Sequence, residues 1–199
     1  MRHPLAAAAA VFGACALLIV ALYAVGMSHA PATPTLQGDA LGPDSGESAE
    51  EYSQRAAATL DSARRKSAPG DSHLALVAFD APQSCDAAAA AYRDVPRVNA
   101  IVPEGLPPKD TPEPVGETSA GRGEVCEREA RRAVQRERRA GPDEAQAPVL
   151  LAGAVVTADV ATLSRLAESS HVRSVEVLPA DAVWGAIAVR NPGVYSAGS

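Results

Sequence analysis

Three cysteines and four histidines are the residues of this 199-residue chain whose side chains are best suited to nucleophilic, redox or metal chemistry. Cys85 and Cys126 lie in the polar part of the chain, whereas Cys15 lies in an apolar run near the N-terminus. A bridge between Cys85 and Cys126 would close a loop of about 41 residues, which would stabilise the fold by roughly 4 kcal/mol. We therefore predict a disulfide between these two cysteines, with two free structural thiols as the alternative.

The histidines have no partners at the spacings that metal or catalytic sites use. His3 and His29 flank the apolar run, His73 opens a predicted strand, and His171 precedes another. The sequence lacks H-E-x-x-H, Cys/His metal spacing and the G-x-S-x-G turn of serine hydrolases. We predict structural roles for His73 and His171, and no catalytic, cofactor-binding or metal-binding residue.

Charge and composition exclude one class of partner. The net charge is −6, which argues against a general nucleic-acid binder because phosphate binding requires basic surface. The chain has only 2 Phe, 1 Trp and 4 Tyr, so its core must consist mainly of Val, Leu, Ile and Ala.

An uncharged apolar run extends from Leu5 to Met27. If it enters a membrane, it determines the cellular location of the rest of the chain. About 20 apolar helical residues suffice to cross a bilayer, and this run is slightly longer. We predict a transmembrane helix over 5–27 in contact with the lipid bilayer, with its most apolar part at Leu17, Leu18, Ile19, Val20 and Leu22.

The flanking charges orient this predicted helix. Arg2 precedes the run, and the next cation after it is Arg55. The positive-inside rule then predicts a single-pass plasma-membrane protein with a cytoplasmic N-terminus and a C-terminal domain outside. A cleaved signal peptide is the alternative, because Ser28-His29-Ala30 provides the small residues of a cleavage site.

The remaining chain divides into segments by composition and periodicity. We predict a cytoplasmic tip at 1–4, the membrane helix, a flexible linker at 28–46, an amphipathic helix at 47–68, an exported α+β domain at 73–190 and a tail at 191–199. Within the domain we predict a Pro/Gly-rich loop at 103–123 and a charged helix at 124–140. Strands are predicted at 73–79, 98–102, 148–156, 172–178 and 183–189, the last with Trp184 as its aromatic anchor.

Two stretches of the domain share a plan of strand, short helix and strand. Their closing strands are RVNAIVP and RSVEVLP, each beginning with Arg and ending with Pro. Two split β-α-β units of this kind make a ferredoxin-like fold, a four-stranded antiparallel sheet with two helices on one face. The predicted fold class is therefore α+β, an N-terminal transmembrane helix followed by a ferredoxin-like exported domain with an inserted charged helix.

The second of these units resembles the latter half of subtilisin-type propeptides and inhibitors. The residues that carry the resemblance are Leu163, Leu166, Val172, Val175 and Glu176, over about 30 residues. The resemblance implies a ferredoxin-like half and a role in inhibiting or chaperoning a protease, although the expected protease-facing tail is not recognisable. In composition the chain also resembles single-pass membrane proteins of GC-rich actinobacteria.

These observations lead to one principal functional prediction and two alternatives. The principal prediction is a membrane-anchored, exported, non-catalytic domain that acts by contact with an unidentified protein at the cell surface. The alternatives are a propeptide-like protease inhibitor or chaperone and an enzyme of unrecognised type. A pocket with converging acids or histidines would favour the enzyme.

Overall fold

The computed structural model describes residues 40–113, 121–138 and 148–193, in which four helices lie between strands. The elements are β1 (Ala40–Leu41), α1 (Ala49–Lys66), β2 (Ser72–Gln83), α2 (Cys85–Ala91), β3 (Arg97–Pro103), β4 (Lys109–Asp110), α3 (Arg122–Arg138), β5 (Leu151–Asp159), α4 (Val160–Ala167), β6 (Val172–Val177) and β7 (Ala188–Val189).

Helix α1 begins at a capping box. The Ser48 hydroxyl accepts a hydrogen bond from the Glu51 N–H, and the Glu51 carboxylate accepts one from the Ser48 N–H. Each bond satisfies a polar group that a helix start leaves unpaired. One face of the helix is buried, and it consists of Tyr52, Ala56, Leu60 and Ala63.

Five strands form an antiparallel sheet in the order β4-β3-β5-β2-β6. β2 and β5 are the inner pair, and their register places His73 opposite Ala158 and Leu76 opposite Val155. Helix α2 connects β2 to β3, and helix α4 connects β5 to β6. The strands that each helix connects are not neighbours in the sheet: β5 lies between β2 and β3, and β2 lies between β5 and β6.

The first face of the sheet is covered by helices. Strand residues such as Val77, Ile101 and Val156 form one buried cluster with side chains of α2, α3 and α4. Leu60 and Ala63, in the second half of α1, join the same cluster. Because most of its members are Ala and Val, the helices must approach the sheet closely to exclude water.

The second face of the sheet is covered by segments from the two ends of the described chain. Leu74, Leu76 and Val155 on this face pack against Leu41 and Tyr52. Half-buried residues of the stretch that follows β6 complete the cover: Ala182, Trp184, Ile187 and Val189. β1 and β7 pair in parallel as a second, two-stranded sheet.

Gly42 allows the two end segments to meet. Its φ is +100°, and a Cβ at this position would lie 2.5 Å from the Arg190 carbonyl oxygen. The Arg190 N–H donates to the Leu41 carbonyl at 2.8 Å. A larger residue at position 42 would therefore separate β1 from the chain that follows β7.

The predicted fold class is corrected by these observations. Among residues 40–113, 121–138 and 148–193, no helix is both long and apolar enough to cross a membrane. The longest of them, α1 and α3, carry charged residues throughout. The run at 5–27 and its residues Leu17, Leu18, Ile19, Val20 and Leu22 lie outside the described residues. The transmembrane and signal-anchor predictions are therefore not supported, and the described fold is α+β with one antiparallel and one parallel sheet.

The ends of the domain also differ from prediction. The strand predicted at 172–178 is buried on both sides: Val175 and Val177 are buried on one side, and Ser174, Glu176 and Leu178 on the other. The cover of the second face explains this burial. The predicted strand at 183–189 is reduced to Ala188–Val189, because the preceding residues form turns across that face.

Candidate ligand pocket at the end of the first helix

The end of α1 brings a serine and a histidine together. Ser67 follows the helix directly, and its N–H donates to the Ala63 carbonyl at 2.9 Å. Pro69 prevents the helix from continuing, and Gly70 turns the chain at a φ of +94°. The Asp71 carboxylate accepts from the Ala68 N–H at 2.8 Å and closes the turn. β2 therefore starts beside the helix end, and its second residue, His73, faces Ser67.

Both ring nitrogens of His73 have partners. Nδ1 lies 2.9 Å from the Leu178 carbonyl oxygen, and Nε2 lies 2.7 Å from the Ser67 hydroxyl. The residue is only 4% exposed, so these partners replace the water that the ring would otherwise bind. Leu178 is itself held in place, because its N–H donates to the Leu74 carbonyl at 2.9 Å.

The partners of the His73 ring assign the direction of both hydrogen bonds. A carbonyl oxygen can only accept, so Nδ1 carries a proton and donates to Leu178. In the neutral ring Nε2 is then the acceptor, and the Ser67 hydroxyl donates to it. This is the direction of proton transfer that a general base requires.

A pocket of about 350 Å³ opens beside this pair. Its apolar wall includes Val177, Leu178 and Pro179, which follow one another at the end of β6 and beyond. Its polar groups include Lys66, Ser67 and His73 at the junction of α1 and β2. The volume lies in the range of small-molecule sites, and the mixture of an apolar wall with a few convergent polar groups is typical of them.

The two cysteines singled out from the sequence meet in the structure. Cys85 begins α2 and Cys126 lies in α3, and a disulfide joins them with their Cα atoms 5.6 Å apart. Both side chains are buried in the cluster on the first face. The bridge stands apart from the pocket, whose walls come from α1, β2 and the end of β6.

Metal binding finds no support in the described ranges. They contain no group of three or more His, Cys, Asp or Glu side chains that could hold a metal ion. Of the histidines, His73 is committed to its two hydrogen bonds, and His171 is exposed on the turn before β6.

A second polar cluster lies on the other face of the sheet, around Glu176 in β6. Its side chain is 4% exposed. One carboxylate oxygen accepts from the Gly42 N–H at 2.6 Å and from the Tyr52 hydroxyl at 3.1 Å, and the other pairs with the Arg55 guanidinium. Arg55 also donates to Glu47 and to the Gly42 carbonyl. This cluster fastens the N-terminal segment and α1 to the sheet, so we interpret it as structural.

The lowered pKa of Glu47 makes the stability that this cluster contributes depend on pH. The hydrogen bond from Arg55, against the opposing effect of desolvation, lowers that pKa from 4.5 to about 2. A carboxyl group with a lowered pKa stabilises the fold above its unfolded-state value, and the contribution is lost as the pH falls. We expect wild-type unfolding free energy to decrease between about pH 4.5 and pH 2, and Glu47→Gln to decrease less across that window. Urea unfolding as a function of pH measures both; equal decreases would contradict the assignment.

Comparison with known proteins leaves the function to be inferred from this geometry. No protein-family model, curated protein or solved structure matches the chain. The resemblance of the C-terminal half to subtilisin propeptides therefore stays a prediction.

The contact between Ser67 and His73 was not predicted from the sequence. The two are 6 residues apart, with a Pro-Gly turn between a helix end and a strand start. That pattern indicates a chain reversal, which is a weak signal for contact. The third member, the Leu178 carbonyl, lies 105 residues beyond His73 and has no local signature.

Proposed function

We propose that the described domain binds a small ligand, with an apolar body and a carboxylate or ester head, in the pocket at the end of α1. The observation that carries this proposal is the pocket of about 350 Å³, whose lining combines an apolar wall with polar side chains that include Lys66, Ser67, Asp71 and His73. The Val177–Pro179 wall suits the apolar body. The Lys66 ammonium and the Ser67 hydroxyl are the partners for the head.

The edges of the large sheet favour a pocket over strand addition as the mode of binding. α1 lies along β6, and the Val177 N–H donates to the Thr59 hydroxyl at 2.8 Å. At the opposite edge, the edge strand β4 is only two residues long, and beyond it the Val98 N–H of β3 donates to Glu113. Edges that are covered or this short offer few backbone groups to an added strand.

Blocking the pocket tests this proposal. Ala180 is exposed and lines the pocket, whereas Ala186 is exposed in the same connecting segment and is not among the lining residues. Titration with a fluorescent medium-chain fatty acid should show saturable binding to the wild type and to Ala186→Trp. Ala180→Trp should bind at least about tenfold more weakly, a loss of about 1.4 kcal/mol. Absence of saturable binding, or equal affinity in the two variants, would overturn the proposal.

Contact with another protein at the cell surface, and the alternative role as a propeptide-like inhibitor, stay predictions from the sequence. Incubation of the protein with a subtilisin-type protease tests the inhibitor role directly. Progressive degradation without loss of protease activity would remove it.

A further inference from the structure

The Ser67–His73 pair has the proton arrangement of an activated nucleophile. Because the Leu178 carbonyl holds the proton of His73 on Nδ1, Nε2 has a lone pair directed at the Ser67 hydroxyl, 2.7 Å away. The carbonyl thus does part of what the acid does in a Ser-His-Asp triad, because it fixes the tautomer and the ring orientation. It carries no full charge, so it stabilises the imidazolium less than a carboxylate would.

Burial and position also suit this chemistry. His73 is buried, whereas Ser67 is only half-buried and lines the pocket. The base is therefore shielded from water, while its serine is open to a bound molecule. The pair lies at the C-terminal end of α1, where the helix dipole favours a positive charge such as a protonated imidazole.

We propose that Ser67 is a nucleophile that accepts the acyl group of an apolar carboxylic ester, with His73 as its general base. Ser67 Oγ forms a bond to the ester carbonyl carbon, and its proton passes to His73 Nε2. The carbon–oxygen bond to the alcohol then breaks, and the alcohol leaves with that proton. Water next attacks the acyl-serine, loses a proton to Nε2, and releases the carboxylic acid as Ser67 recovers its hydrogen.

The same pocket residues serve the other parts of the reaction. Val177, Leu178 and Pro179 contact the apolar acyl chain, so this inference rests on the proposed function. Lys66 lines the pocket and provides a positive charge for the oxygen that becomes negative during attack.

A fluorophosphonate probe tests the nucleophile without knowledge of the natural ester. Ser67 Oγ would form a bond to phosphorus, fluoride would leave, and the serine proton would pass to His73. Ser62 provides a matched control, because it lies on α1 and lines the same pocket, whereas the His73 ring contacts Ser67. Intact-protein mass spectrometry should show one probe on the wild type and on Ser62→Ala and none on Ser67→Ala. Peptide mapping of the wild type should place the probe on Ser67, independently of any variant.

A second variant separates the base from the nucleophile. His73→Asn retains an N–H that can donate to the Leu178 carbonyl but lacks Nε2. With Ser67 present, its labelling rate should fall by about 100-fold, the usual contribution of a general base. An unlabelled wild type, labelling at another residue, or an unchanged rate in His73→Asn would overturn the inference. If fatty-acid binding persists in that case, the proposed function stands; if binding is also absent, both fail.

Discussion

Glu176→Ala is expected to lower the free energy of unfolding by about 1–3 kcal/mol, the cost of leaving buried hydrogen-bond donors without their acceptor. The variant leaves Arg55 without its buried carboxylate, and it removes the carboxylate oxygen that accepts from the Gly42 N–H and the Tyr52 hydroxyl. Guanidinium unfolding monitored by circular dichroism measures the loss. Hydrogen exchange should show a local effect as well, with the Gly42 amide exchanging faster than amides in the centre of β5.

Glu127→Ala is the matched control for this substitution. Glu127 pairs with Arg131 at 3.0 Å, but its side chain is 50% exposed. Water already solvates both charges, so the loss should stay below about 1 kcal/mol. Similar losses of unfolding free energy in Glu176→Ala and Glu127→Ala would show that the burial of Glu176 does not determine how much it stabilises the fold. Glu176→Gln retains an acceptor oxygen and should lose less than Glu176→Ala, which keeps the comparison usable if the alanine variant does not fold.

Reduction of the Cys85–Cys126 disulfide is expected to lower the free energy of unfolding by about 4 kcal/mol, because the unfolded chain regains the entropy of an open loop. The bridge spans 41 residues and joins α2 to α3, so it constrains the chain across the 103–123 segment. Guanidinium unfolding with and without a thiol reductant, in a Cys15→Ala background that prevents mispairing, measures the difference.

The double variant Cys85→Ala/Cys126→Ala is the control for the reductant itself. Its stability should not respond to the reductant, and it should resemble the reduced protein. A difference of less than about 1 kcal/mol between the oxidised and reduced forms would contradict a loop-entropy contribution of this size.

Elements with local signals could be placed from the sequence. The amphipathic helix is predicted at 47–68, and α1 runs from Ala49 to Lys66, between the capping box at Ser48 and Glu51 and the stop at Pro69-Gly70. The apolar run at 73–79 predicted a strand, although β2 continues to Gln83. These signals are reliable because caps, stops and apolar runs act within a few residues of chain.

Elements whose partners are distant could not be placed. β7 is a strand only over the two residues that meet β1, and no local pattern at 183–189 shows where β1 lies. The burial of the second face of β6 has no local signal for the same reason, because its cover comes from Tyr52 and from the stretch after Leu178. The strand propensity of a segment shows only that its residues can adopt a strand. Tertiary packing determines which face of that strand is buried.

The sequence by itself indicated where α1 starts and stops, the approximate positions of β2, β3, β5 and β6, and two cysteines that could pair. It did not indicate β4, which lies in the 103–123 segment predicted as a loop. The tertiary structure alone decided the groups on which the functional and structural proposals depend. Leu178 meets His73 across 105 residues, Glu176 meets Arg55 across 121, and Glu176 meets Gly42 across 134. Contacts at such separations depend on strand order and register, which the antiparallel sheet fixes only when the whole domain has folded.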